Sequence, residues 1–485
     1  VEDTLRGSVI AAVGLAYFGV LATIALWAAR RTRTPSDFYA AGRRLGVWTT
    51  GIASMAATIS GFSFIGGPGL VYSMGLGALF IVLPLSVTAV MSAWVLGRRL
   101  YGLGASHGVF TIPGALRIRY GSTGAQGLAA LAILLATIGY LATNMLALGV
   151  VLDSIFGLGV AAGVWVGMLT TLAYTAAGGI LAGVYADVFQ GGLMVAVSLA
   201  VGYYVLDAGG GVAAMNKAVL AVDPTFLAPW GKLTPLAALS FFFVFSVGTL
   251  GQPHVIHKFY MMRDLRTLKW YPAVMTGSML LAQLLFVAVG LVMRSLVARG
   301  ALEPLARPDD ATPTFLLRFT PLPLAALAFS GVAAAIMSTV NSFLNVAAAA
   351  ITHDIPAALG RRLRDELRWG RMATVLLALV AALVATWWRS LVGFLGIFGW
   401  GLFASTLVPA LAIGLNWPGA TRWGALASIG TGLAVTLSLE SMAYFGIFRF
   451  PAGVTATALA LLASLLAFVI VSLLAPRQRG PRASR

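Results

Sequence analysis

Five polar side chains, Ser338, Thr339, Asn341, Ser342 and Asn345, fall within eight residues of an otherwise apolar stretch. Ala335, Ser338, Thr339 and Ser342 follow at i, i+3, i+4 and i+7, so on a helix they share one face. Hydroxyls in a membrane helix ordinarily bond back to the carbonyl one turn earlier or bridge to a neighbouring helix. The density of polar groups here points further, to a cation. A small hard ion takes several neutral oxygens, and two hydroxyls with the Ala335 carbonyl would supply part of such a set. Oxygens alone do not identify the ion.

Asp187 is the second candidate. Of the fifteen acidic residues only Asp187 and Glu440 fall well inside apolar segments, and a carboxylate at membrane depth is a functional candidate by default. An interhelical hydrogen bond is the structural alternative for Asp187. Glu440 lies near the end of a late segment and reads as snorkelling or locally paired. Tyr140, beside Gly139 in the middle of a segment, reads either as core packing or as the wall of a cavity.

The elements that must position these groups are interrupted. Ala56-Ala57-Thr58-Ile59-Ser60-Gly61 runs into Gly66-Gly67-Pro68-Gly69, and Gly248-Thr249-Leu250-Gly251-Gln252-Pro253 cuts a later apolar run. An unpaired backbone group in a bilayer costs several kcal/mol, so a broken helix survives only where its freed carbonyls and amides face protein, water or a ligand. Broken helices at matching places in two halves point to a transporter's binding site. Carbonyls released at Ala56 and Ile59 would complete the oxygen set of Ala335, Ser338 and Thr339.

Composition agrees with a membrane setting. Of 485 residues 59% are hydrophobic and 10% charged, and the mean hydropathy is +0.92, which excludes a soluble globule. The net charge of +17 comes from short basic clusters between apolar runs, read as topology signals, with no face for nucleic acid. Cysteine is absent, so a disulfide framework or thiolate site is excluded. The four histidines form no metal-ligand spacing, and no nucleophile–base constellation appears, so an enzyme is not expected.

At about 20 residues per crossing, spans are expected near 8–29, 47–73, 76–97, 124–149, 157–176, 180–206, 235–256, 271–293, 320–352, 372–388, 391–415, 421–445 and 453–475. The first is read as a retained helix, because Val1–Arg6 lacks the basic start of a signal peptide. Placing the N-terminus outside puts 23 of the 32 Lys and Arg on the inner side, including Lys258, Arg263, Arg266 and Lys269, as the positive-inside rule asks. The two broken spans are the second and seventh and cross in opposite directions, as two inverted repeats require. The implied division is 1–45, an extra helix and loop; 46–206, the first repeat; 207–416, the second; and 417–485, two extra helices and a basic tail.

At these residues the chain resembles the sodium:solute symporter family, which includes proline, pantothenate, monocarboxylate, sugar and sialic acid carriers. The resemblance rests on Ser36–Arg43, Ile65–Gly69, Gly178-Gly179 with Ala186–Gln190, and Gly251–His254 with Ala333–Thr339. It implies an all-α membrane protein of about 13 helices, with a LeuT-type core of two inverted five-helix repeats, one helix before it and two after. It also implies sodium held by Ala56, Ile59, Ala335, Ser338 and Thr339. Some members hold a second sodium at positions that map to Asp187, Ser338, Asn341 and Ser342, although Asn341 replaces a hydroxyl. Where proline carriers have an acid, a Trp and a Tyr, this chain has Thr58, Phe245 and Thr249, while Gln252 keeps the proline pattern.

The expected function is sodium-coupled import of a small organic solute, an amino acid such as proline or a monocarboxylate, by alternating access across a bacterial inner membrane. The C-terminus is placed in the cytoplasm. The expected solute contacts are Thr58, Ser60, Ser63, Tyr140, Phe245 and Thr249. A carboxylate would be received by the amides that open the outer half-helix near Ser60–Ser63. A proton-coupled carrier using Asp187, or a sensor built on the same fold, are the alternatives. The expected partners are the solute, sodium and lipid, with no nucleic acid and no obligate protein partner.

Overall fold

The computed structural model describes residues 2–30, 45–175, 180–387, 391–448, 450 and 453–476. Ser36–Arg43, Gly178-Gly179, Trp388 and the tail Arg477–Arg485 lie outside the described residues. Each expected span is built mainly of helix where described, with non-helical residues at Ile59-Ser60, Gly157–Gly159 and Gln252. The principal helices are α1 (Glu2–Ala29), α2 (Val47–Thr58), α3 (Gly67–Met74), α4 (Leu79–Ser92), α5 (Thr123–Phe156), α6 (Val160–Thr175), α7 (Ile180–Gly209), α8 (Pro235–Gly248) and α9 (Pro253–Ile256). They continue with α10 (Tyr271–Ala282), α11 (Leu284–Ala298), α12 (Ala311–Phe319), α13 (Leu322–Ala349), α14 (Glu366–Trp387), α15 (Val392–Val408), α16 (Arg422–Tyr444) and α17 (Ala456–Leu474).

Local chemistry sets the ends. Ser122 and Thr234 accept from the amides of Ala125 and Ala237 at 3.2 and 3.1 Å, capping α5 and α8 where the first turn leaves amides unpaired. Pro235 and Pro253 stand in the first turns of α8 and α9, where a missing N–H costs nothing. Large apolar side chains such as Leu15, Trp94, Leu376 and Leu474 point outward, while Ser54, Asn144, Gln252 and Ser338 are buried. The apolar outer surface suits a lipid solvent, while the interior stays largely apolar with these polar groups set into it.

Among the described residues, ten helices are long and apolar enough to cross a bilayer, or eleven when the bent pair Pro235–Gly251 and Pro253–Met261 counts as one span. The expected thirteen exceeds this count for local reasons. The first break cuts α2 to 12 residues, the helical run after it continues from Phe62 to His107, and α6 has only 16 residues.

The centre of the bundle is α2 and α3, with a π-helical turn at Phe62–Gly66 between them. Helix α2 packs against α7, α9, α10 and α13, while α5 packs against α13 and α15. At one end, Leu45 is stitched to the end of the second broken span: its amide donates to the Met261 carbonyl at 3.2 Å, and its carbonyl accepts from the Arg263 amide at 3.0 Å.

Candidate functional site

The first break falls at Ile59, whose extended backbone (φ −80, ψ 122) ends α2. Several of the polar groups freed there find partners. The Gly61 amide donates to Asn144 Oδ1 at 3.0 Å, and the Phe62 amide to Ser60 Oγ at 3.2 Å. The amides of Ser63 and Phe64 donate to the Ser60 carbonyl at 2.9 and 3.2 Å. Gly61 is needed for this approach, since a Cβ there would meet the Ala147 methyl at 2.6 Å.

The freed carbonyls turn to α13. Ser338 Oγ donates to the Ala56 carbonyl at 2.8 Å and to the Ala335 carbonyl at 3.1 Å. Thr339 Oγ1 reaches the carbonyls of Ala57 and Ile59, both at 3.1 Å. Ala56, Ile59, Ala335, Ser338 and Thr339, expected from the sequence as one set, therefore meet, and all five are fully buried. Their chemistry suits a monovalent cation. A hydroxyl has one proton and two lone pairs, so Ser338 and Thr339 can stop donating to these carbonyls and present lone pairs beside them. Among the described residues no cluster of three His, Cys, Asp or Glu could hold a harder or transition metal.

The second break is built differently. Gln252 (φ −84, ψ 99) separates Thr249–Gly251 from α9, and the two parts bend by 43°. Gln252 Nε2 donates to the carbonyls of Gly248 and Trp400, each at 3.2 Å. Rings line this region. Phe245 stacks on Trp400 with centroids 5.4 Å apart and on Phe62 at 6.0 Å. Gly248 lets Trp400 approach, since a Cβ there would stand 2.7 Å from Nε1. Thr249 Oγ1, Gln252 Oε1 and Trp400 Nε1 are buried with no protein partner.

The expected solute contacts separate into three groups. Ser60 and Tyr140 meet, hydroxyl to hydroxyl, at 3.2 Å, and Phe245 and Thr249 join the aromatic wall. Thr58 is turned away, its hydroxyl bonded to the Ser54 carbonyl at 2.7 Å. Ser63 is buried in the π-helical turn. Of the amides expected to receive a carboxylate near Ser60–Ser63, those of Gly61, Phe62 and Ser63 donate in this arrangement to Asn144 and Ser60.

The residues of the second expected cation set divide. Ser338 belongs to the first cluster. Asp187, Asn341 and Ser342 line a separate cavity of about 30 Å³ with His254 and Lys258. Lys258 corrects the sequence reading: instead of a loop charge marking the inner side, it is buried, with Nζ 3.3 Å from Asp187 Oδ2. Asn144, Trp400 and Lys258 are site residues the sequence reading missed. A lone Asn deep in the apolar run 123–156, one turn after Tyr140, is a signal that could have found the first. Trp400 and Lys258 carry no comparable local signal.

The model of the sodium:solute symporter family matches residues 38–432. The osmoregulated proline transporter OpuE of Bacillus subtilis (strain 168) is 28% identical over 440 residues, 88% of each chain. The sodium/pantothenate symporter of Escherichia coli (strain K12) is 27% identical over 468 residues, 94% of each chain. Among solved structures, a Na+-coupled sialic acid symporter in a substrate-bound outward-open state superposes with a TM-score of 0.76 at 17% identity, over 98% of this chain and 99% of that one. That likeness carries the fold, which is the LeuT type expected. With a broken-helix core in place and the family match spanning most of the sequence, the chain belongs to the sodium:solute symporter family and is a multi-pass carrier that couples a small solute to sodium.

Proposed function

We propose that this carrier imports a small organic solute, an amino acid such as proline or a monocarboxylate, with sodium held by Ala56, Ile59, Ala335, Ser338 and Thr339. The observation that supports this reading is the pairing of the Ser338 and Thr339 hydroxyls with the carbonyls freed at the first break. A sodium ion there would tie α2 to α13 and complete the neighbouring solute site. Moving one charge inward gains about 2.3 kcal/mol per 100 mV before any concentration gradient is added.

The solute would lie between Ser60, Tyr140, Phe245, Thr249 and Trp400. Trp400 Nε1 and Thr249 Oγ1 can donate to a carboxylate, and Gln252 Oε1 can accept from an amine; all three gather around Gly248 and lack protein partners. Thr58 contributes through its helix, and Ser63 through the turn that shapes the pocket. The division into repeats at 46–206 and 207–416, the N-out and C-in orientation and the bacterial inner membrane belong to the same proposal.

A panel of amino acids and monocarboxylates, screened by thermal shift in sodium and in choline at one pH, tests it, because a ligand that binds only the native state raises apparent stability. Stabilisation by a panel member in sodium and not in choline is the expected result. Equal stabilisation in both, with sodium itself giving no shift, would overturn it.

A further inference from the structure

We infer that Lys258 is a built-in cation occupying the position a second sodium would take, so that the carrier moves a single sodium per cycle; this rests on the sodium-symport reading above. Lys258 follows the second break by six residues and is buried, as is Asp187 on α7. Its Nζ lies 3.3 Å from Asp187 Oδ2, 3.4 Å from the His254 carbonyl and 3.5 Å from Ser342 Oγ. An ammonium has three N–H donors, and three oxygens meet them. They come from α7, from the second broken span and from α13, the elements that would have to supply a second ion's shell.

The remaining candidate ligands turn elsewhere. Ser338 faces the first cluster, beside the carbonyls of Ala56 and Ala335. Asn341 Oδ1 accepts from Asn345 at 3.4 Å, and its amide end crowds Gly183, where a Cβ would meet Nδ2 at 2.5 Å. Charge decides the matter. Asp187 and Lys258 neutralise each other, so a sodium ion entering the cavity would leave a net positive charge where solvation is poor, and desolvation is costly without a matching partner. The cavity of about 30 Å³ has room for a water beside the unpartnered Asp187 Oδ1. A tethered ammonium cannot leave, so it neutralises Asp187 without drawing on the sodium gradient.

The test counts sodium on the purified full-length protein, with 22Na+ as the only probe. The wild type is expected to bind one ion per chain. Lys258→Gln, which frees the Asp187 charge, should bind two, and the neutral double variant Asp187→Asn/Lys258→Gln should return to one. Two ions in the wild type would overturn the inference, as would a folded Lys258→Gln that still binds one. If Lys258→Gln does not fold, the wild-type count and the double variant decide, and two ions in either overturns the inference. Failure of the underlying reading looks different: the wild type would bind none, while Lys258→Gln would still gain one if the ammonium fills a cation position.

Discussion

The two breaks solve one problem with different chemistry. At Ile59 the freed carbonyls of Ala56, Ala57 and Ile59 are held by two hydroxyls of another helix. At Gln252 the freed Gly248 carbonyl is held by a side-chain amide from its own span, which also grips the Trp400 carbonyl. A hydroxyl can exchange donation for a lone pair, whereas an amide N–H can only donate. The first break can therefore admit a cation, while the second presents a fixed frame with aromatic walls. On the function proposed above, the contrast separates ion from solute along one core, with the group that faces each break selecting its ligand.

Thr339→Ala should break this contrast most severely. It removes the one hydroxyl serving both Ala57 and Ile59, and a bond to a charged partner is worth about 1.5–3 kcal/mol. The half-saturating sodium concentration for thermal stabilisation should rise about 10- to 100-fold. An unchanged sodium titration would remove the first break from ion binding.

Asn144→Ala comes next, because it leaves the Gly61 amide buried and unpaired at a cost of about 1–3 kcal/mol. The melting temperature should fall in sodium and in choline alike, marking Asn144 as a support of the break and not as an ion ligand. A loss confined to sodium would reverse that assignment.

Trp400→Phe should sharpen the contrast from the other side. It keeps the stack on Phe245 but deletes an N–H that no protein group uses. Solute-induced stabilisation should weaken by about one hydrogen bond, roughly 1 kcal/mol or fivefold in affinity, with the sodium titration unmoved. Thr249→Tyr should reorder the solutes in the same assay by narrowing the cavity; a fixed ranking would make Thr249 a packing residue.

The smallest effect is expected outside the spans, where Asp309 packs beside α3 and accepts from the Val392 amide at 2.8 Å. Burial pushes its carboxyl up to about 7, with the Val392 bond pulling the other way. The unfolded group titrates near about 3.9, so the folded protein binds this proton more tightly. Its contribution to stability is then full below about pH 4 and lost as pH rises toward about 7. Asp309→Asn, which keeps an acceptor for Val392, should flatten the fall in melting temperature between pH 5 and pH 8. An equal slope in both proteins would show that Asp309 does not titrate there.

How much of this was legible depends on the range of the interaction. The spacing of Ala335, Ser338, Thr339 and Ser342 placed a polar face on one helix, and Gly and Pro marked both breaks, because helix periodicity and backbone cost act over a few residues. The number of crossings was less legible, since a 12-residue half-helix and a helical run from Phe62 to His107 that turns at Gly75 cannot be told from two ordinary spans by hydropathy.

The sequence by itself determined the membrane class, the helical segments, the breaks and the five residues of the oxygen cluster, all properties of local composition and period. Tertiary structure alone decided that Asn144 pairs with Gly61, that Trp400 faces Gly248 and that Lys258 turns inward to Asp187. Those partners lie tens to hundreds of residues apart along the chain. A charge near a span end reads the same whether it snorkels to water or neutralises a buried carboxylate, and only the packing of α7, α13 and the second broken span distinguishes the two.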